Sequence, residues 1–187
     1  MRLSKLIFLL FLINLSVTSC SEPPIPKPKA FLRLSYNMPD YTQVKTDCPY
    51  TFEAPNDATV EFNNKCWATI KYPKLKASID ITYRPVENNL MELLRESEKL
   101  TYAHAIKADA ISARPFENST AKKYGILNEV AGNAASAIQF HLTDSTGHFL
   151  TGALYFNVQP NYDSIMPAVK YLEKDIVHLM ETLQWKQ

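Results

Sequence analysis

Residues 124–158 read YGILNEVAGNAASAIQFHLTDSTGHFLTGALYFNV, and this run decides the fold class. Two turn signals break it into three short stretches, the first centred on Gly132-Asn133 and the second on Asp144-Ser145-Thr146-Gly147. The run is therefore expected to form a three-strand antiparallel meander. At the second turn Gly147 is expected to take the left-handed conformation that a tight return uses.

Helical periodicity appears on both sides of the meander. Asp163 to Trp185 places Ile165, Val169, Leu172, Ile176, Leu179 and Leu183 at alternating four- and three-residue steps. That spacing predicts one long amphipathic helix, with Asp163 as N-cap and Pro167 in the first turn, where proline is tolerated. From Asn89 to about Ala105, residues Leu90, Leu93, Leu94, Ser97, Leu100, Thr101 and His104 recur at the same steps, with Asn89 and Glu92 placed as N-cap and N3 of a capping box. The stretch between this helix and the meander contains Pro115 and carries no predicted element. Nearer the N-terminus, Phe31–Tyr36, Tyr50–Glu53, Thr59–Phe62, Trp67–Tyr72 and Ser78–Tyr83 read as short strands punctuated by Pro, Asn and Asp. Strands and helices segregated in this way indicate an α+β domain: a largely antiparallel sheet packed by two amphipathic helices through Leu93, Leu94, Leu100, Val169, Leu172, Ile176 and Leu179.

The extreme N-terminus has a different character. Arg2 and Lys5 form a basic start, Leu6 to Ile13 an unbroken apolar run, and Val17-Thr18-Ser19-Cys20 an aliphatic-small-small approach to a cysteine. These are the parts of a bacterial lipoprotein signal, so residues 1–19 are expected to be removed and Cys20 lipidated. A membrane-spanning helix needs roughly 20 apolar residues, and Asn14 and Ser16 interrupt this run sooner. Acyl chains on Cys20 would supply two or more anchors, enough for stable membrane attachment. Residues 20–29 alternate proline with polar residues as an extended spacer, and residues 30–187 follow as one domain. Ser21 after the lipidated cysteine is not the aspartate that retains lipoproteins at the inner membrane in some bacteria. A periplasm-facing position on the outer membrane is the expectation, with surface display as the alternative.

Cys48 and Cys66 are the remaining cysteines. Export places them where disulfides persist, and a bridge between them would close a short loop. The alternatives are two buried free thiols or a metal site, but no histidine lies within ligand spacing of either. The chain carries 20 basic and 19 acidic residues; loss of Arg2 and Lys5 leaves 18 against 19, a net charge of −1. Nucleic acid is thereby disfavoured as a partner, since phosphate binding needs a basic excess.

The densest set of reactive side chains is His141-Leu142-Thr143-Asp144-Ser145-Thr146-Gly147-His148. Two histidines, an aspartate and three hydroxyls around one turn suggest a cell-envelope hydrolase using His141, Asp144, Ser145 and His148. Against it, Asp, Ser and Thr at these positions are what a β-turn uses to satisfy its own backbone, and no strained nucleophile elbow is announced. His104 and His178 read as satisfied or solvent-facing side chains. With only 4 glycines and no phosphate loop or metal-spaced His/Glu pair, no cofactor or metal is expected.

Several runs are specific enough to carry a family resemblance. Lys99-Leu100-Thr101-Tyr102-Ala103-His104, Lys107-Ala108-Asp109-Ala110-Ile111, Gly132-Asn133-Ala134-Ala135-Ser136, Gly152-Ala153-Leu154-Tyr155-Phe156-Asn157-Val158, Asp175-Ile176-Val177-His178-Leu179 and Cys48-Pro49-Tyr50-Thr51-Phe52 resemble the gliding motility lipoproteins GldD of the Bacteroidetes. The resemblance spans nearly all of the chain after the leader. It implies an accessory lipoprotein needed for gliding and for type IX secretion, with no enzymatic activity, cofactor or catalytic residue. Its partners would be other gliding or secretion lipoproteins or outer-membrane proteins, and Asn133, Asp144, Ser145 and His148 are the candidate contact loop. The order of helix, meander and long C-terminal helix is also similar to the PsbP/Mog1-like α/β/α sandwich, a likeness of fold that carries no function.

Overall fold

The quoted run folds into three consecutive antiparallel strands in the computed structural model, which describes residues 36, 38–104, 108–158 and 162–186. The leader, Cys20, the spacer and the strand expected at 31–36, except Tyr36, lie outside the described residues. The described residues belong to a compact unit, Phe31–Gln187.

In chain order the strands are β1 (Tyr41–Gln43), β2 (Tyr50–Thr51), β3 (Glu53–Pro55), β4 (Thr59–Phe62), β5 (Ala68–Tyr72) and β6 (Ala77–Pro85), then helix α1 (Leu90–His104). They are followed by β7 (Ala108–Asn118), β8 (Lys123–Gly132), β9 (Ile138–Thr143), β10 (His148–Phe156), helix α2 (Tyr162–Thr182) and β11 (Gln184–Trp185). Seven strands form one sheet in the order β4-β5-β6-β10-β9-β8-β7, every pair antiparallel. β1 pairs with β3, and β2 with β11, as two small ribbons. The fold is α+β, with a mostly antiparallel sheet and two helices.

The topology explains where α1 lies. After β6 the chain must reach the far edge at β7, four strand positions away, or about 19 Å at the usual strand spacing. Fifteen helical residues reach about 22 Å, so α1 is the crossover. The chain then meanders back through β8 and β9 until β10 lands beside β6. The stretch around Pro115, given no element from sequence, is the eleven-residue edge strand β7. Its mostly exposed side chains hide the period-2 signal, and proline is admissible there because, among the described residues, only one side of the strand is paired.

Register assigns side chains to faces. Ile79 and Ile81 of β6, Leu150 and Leu154 of β10, Ile138, Phe140 and Leu142 of β9 and Leu127 of β8 point to one face. There they join Val169, Leu172, Ile176 and Leu179 of α2 in one buried cluster. The stripe expected on the last helix is thus the buried one. On α1 the expectation holds in part: Leu93 is 1 % exposed, but Leu100 is 54 % exposed and does not belong to the buried face.

Four local expectations need correction. Asn89 holds the N-cap position, its carbonyl accepting from Leu93 N (3.1 Å), but its Oδ1 accepts from Glu87 N (2.8 Å) and does not form the expected capping box. The last helix starts at Tyr162, whose N–H is capped by Asn133 Oδ1 (3.1 Å), which puts Asp163 inside the first turn and Pro167 in the second. The helix also stops at Thr182, and Trp185 belongs to β11, paired with Tyr50. At the hairpin, Ser145 takes the positive φ (70°), while Gly147 does not appear among the left-handed residues.

Cys48 and Cys66 are joined by a disulfide, with Cα atoms 5.5 Å apart. Closing this short loop restricts the unfolded chain, and reduction is expected to cost about 3 kcal/mol. Urea unfolding with and without reductant checks the size. A cost below about 0.5 kcal/mol, the scale of surface substitutions, would mean that the bridge does not hold the 48–66 segment to the core.

Candidate functional site

The β9–β10 hairpin is built around Asp144. Its Oδ1 accepts from the amides of Thr146 (3.0 Å), Gly147 (2.8 Å) and His148 (2.8 Å), and its Oδ2 accepts from Thr146 Oγ1 (2.9 Å). Partial burial alone would raise its pKa, yet these hydrogen bonds hold the carboxyl below the usual aspartate value. Thr143 Oγ1 accepts from Ser145 N (2.9 Å) and donates to His148 O (2.7 Å). The end of β6 joins in as Val86 N donates to Gly147 O (2.9 Å). Every polar atom of the Asp144 and Thr143 side chains is therefore occupied in shaping the turn.

The two histidines do not converge. His141 belongs to the face of β9 under α1, stacks on Phe149 with ring centres 5.7 Å apart, and is buried, which lowers its pKa. His148 points to the opposite face, where Nδ1 pairs with Tyr83 Oη (2.9 Å) and the ring stacks on Trp185 at 5.1 Å. Ser145 is exposed at the tip, and among the described residues no hydrogen bond joins its hydroxyl to either imidazole. Asn133, grouped with the loop from sequence, caps α2 at the other end of β9, about 20 Å away for a six-residue strand. His178 pairs with Glu53 (2.7 Å) and stacks on Tyr41 at 3.7 Å.

A cleft of about 490 Å³ lies between α1 and the sheet. Met91, Leu94, Tyr102, Ile111 and Ile126 supply apolar wall, with Asn128 and His141 at its polar floor and Arg95 and Glu98 on the helix side. On the other flank of α1, Gln139 Nε2 is buried without a hydrogen-bond partner among the described residues. Among the described residues no group of three or more His, Cys, Asp or Glu side chains is placed to hold a metal ion.

Two buried charges, Lys123 and Asp175, were not singled out as sites from sequence. Lys123, 2 % exposed, reaches along the sheet to donate to Met180 O (3.1 Å) and Glu181 O, satisfying carbonyls at the end of α2; burial lowers its pKa, with Glu181 opposing. Asp175, also 2 % exposed, accepts from Tyr41 Oη (2.7 Å) at Oδ1, while Oδ2 and the neighbouring Tyr72 hydroxyl have no partner among the described residues. Burial raises the Asp175 carboxyl against the opposing contacts from Tyr41 and Tyr72. A carboxyl raised in the folded state stabilises fully at pH below its unfolded value near 3.9, and that contribution is lost as pH rises through the folded value. Asp175→Asn keeps an acceptor for Tyr41 and adds a donor towards Tyr72. It is expected to raise the melting temperature at neutral pH and to lose most of that gain near pH 3. A variant less stable than the parent at neutral pH would show that the ionised carboxylate is a stabilising group.

These features define an antiparallel α+β domain whose densest polar loop serves its own architecture and whose open cleft lies under a crossover helix. Residues 21–185 match the family profile of the gliding motility lipoprotein GldD, and the chain belongs to that family. It is a gliding motility-associated lipoprotein. No curated protein matches the chain. Among the described residues no helix is long and apolar enough to cross a membrane.

Proposed function

We propose that this lipoprotein is a non-enzymatic accessory of the gliding and type IX secretion machinery that works by protein–protein contact. Acyl chains on Cys20 hold it to the outer membrane, with the folded unit on the periplasmic side. The observation that carries this reading is the use of Asp144 and His148. The carboxylate and imidazole that a hydrolase would need are bound to the turn backbone and to Tyr83 and Trp185, on the far side of the sheet from His141. Family membership supports the gliding part of this reading, and type IX secretion belongs to the proposal.

Crosslinking in intact cells followed by affinity purification tests it. The wild type is expected to yield a defined lipoprotein or outer-membrane component of the machinery. Cys20→Ala is expected to lose both that product and labelled palmitate. Recovery of the same product from an unlipidated variant would reject the membrane-bound site of action, and normal gliding in cells where no adduct forms would reject action by contact.

A further inference from the structure

The large sheet ends at β7, and among the described residues no strand pairs with its outer edge. Its neighbour fixes which way its backbone groups point. Val130 N donates towards β9, to Ala137 O (2.9 Å), so residues of β8 in phase with Val130 direct their backbone groups to β9. The β7 residues opposite Val130, Asn128 and Ile126 are Ile111, Ala113 and Pro115. Those three therefore turn their backbone groups away from the sheet. Pro115, with no N–H, occupies one of these positions and interrupts any ladder there. Upstream of it, Ile111 and Ala113 each offer one N–H and one C=O, at two-residue spacing.

The side chains of Ile111 and Ala113 line the 490 Å³ cleft. Across it stand Met91, 63 % exposed, and Tyr102, 62 % exposed, both large apolar surfaces left open on α1. Donors and acceptors repeated every second residue are matched by the main chain of an extended peptide. Such a strand would direct alternate side chains to the α1 face, into the cleft. Arg95 and Glu98 on the helix side balance in charge, which favours an uncharged side chain there.

We propose that the β7 edge and the α1 cleft together form a docking groove for an extended segment of a partner protein, which adds as an eighth strand beside Ile111 and Ala113 and seats one bulky apolar side chain against Met91 and Tyr102. The proposal rests on the reading of the chain as an interaction module. The two fail separately, because partner capture in the envelope can succeed through another surface.

Selection of short random peptides against the full-length lipoprotein in detergent, with residue-resolved hydrogen exchange on the complexes, tests the groove. Selected peptides are expected to share a large apolar residue and to slow exchange of the Ile111 and Ala113 amides. Ala113→Pro removes an outward donor and no bond within the sheet, and is expected to weaken binding about tenfold with the melting temperature retained. Met91→Glu, which leaves the edge backbone intact, should weaken it as well. Failure to select any peptide, protection confined to other residues, or unchanged affinity in both variants would overturn the proposal. So would slow exchange of those two amides in the peptide-free protein, which would mean that the chain covers its own edge, or a concentration-dependent dimer abolished by Ala113→Pro.

Discussion

Gly152→Val is expected to destabilise the folded unit by at least about 3 kcal/mol, at or beyond the upper end of overpacking costs. Gly152 on β10 lies opposite Phe140 on β9, and a Cβ at position 152 would stand 2.2 Å from the ring. Phe140 is itself 2 % exposed in the main buried cluster, so its ring yields only by displacing packed neighbours. Backbone conformation does not demand glycine here, because its φ lies outside the left-handed region; the aromatic ring of the neighbouring strand does. Urea unfolding of Gly152→Val beside the double variant Gly152→Val/Phe140→Leu checks the cause. The second change should recover part of the loss, and additive costs would place the strain elsewhere.

Leu172→Ala is expected to cost about 2–5 kcal/mol, as fully buried leucines do when truncated. Leu172 is 0 % exposed on α2 and packs with Val169, Ile176, Leu150 and Leu154 between helix and sheet. The midpoint of urea unfolding should fall while its slope stays the same, since the surface exposed on unfolding changes little. A loss under about 0.5 kcal/mol, the scale of surface sites, would mean that α2 does not rest on the sheet through this stripe. Leu100→Ala is the useful contrast. With Leu100 54 % exposed, the same truncation should fall near that surface scale.

The contrast between these two leucines shows what the sequence could carry. On α2 the apolar stripe has one destination, the apolar face of the sheet, so periodicity alone identified Val169, Leu172, Ile176 and Leu179. On α1 the same periodicity misplaced Leu100, because a crossover helix lies on a face that presents Asp80, Thr82, Gln139 and Thr151 and leaves clefts along both flanks. The meander was legible from its turn residues, but the left-handed position fell on Ser145 once Asp144 had gathered three amides of the turn. β7 was not legible, since an edge strand with exposed side chains and an internal proline has the composition of a loop. Asp175 does leave a signal in the sequence: it lies three residues after Leu172 and four before Leu179, which places a carboxylate in the apolar stripe.

The reactive residues of the hairpin were all visible in sequence, and their chemistry was ambiguous there because a turn and a hydrolase draw on the same side chains. Geometry separates the two uses. His141 and His148 lie on opposite faces of the sheet, Asp144 is fully hydrogen-bonded, and Asn133 is at the far end of β9.

The most direct test of action by contact is the gliding rate of cells whose only copy of the protein carries Ser145→Ala. The Thr143 and Thr146 hydroxyls are bound within the turn, and removal of this exposed one leaves the Asp144 and Thr143 bonds to the turn amides in place. Gliding at the wild-type rate is expected. Loss of gliding with the variant folded, lipidated, present at normal level and still crosslinked to its partner would contradict the account and return the hairpin to chemistry.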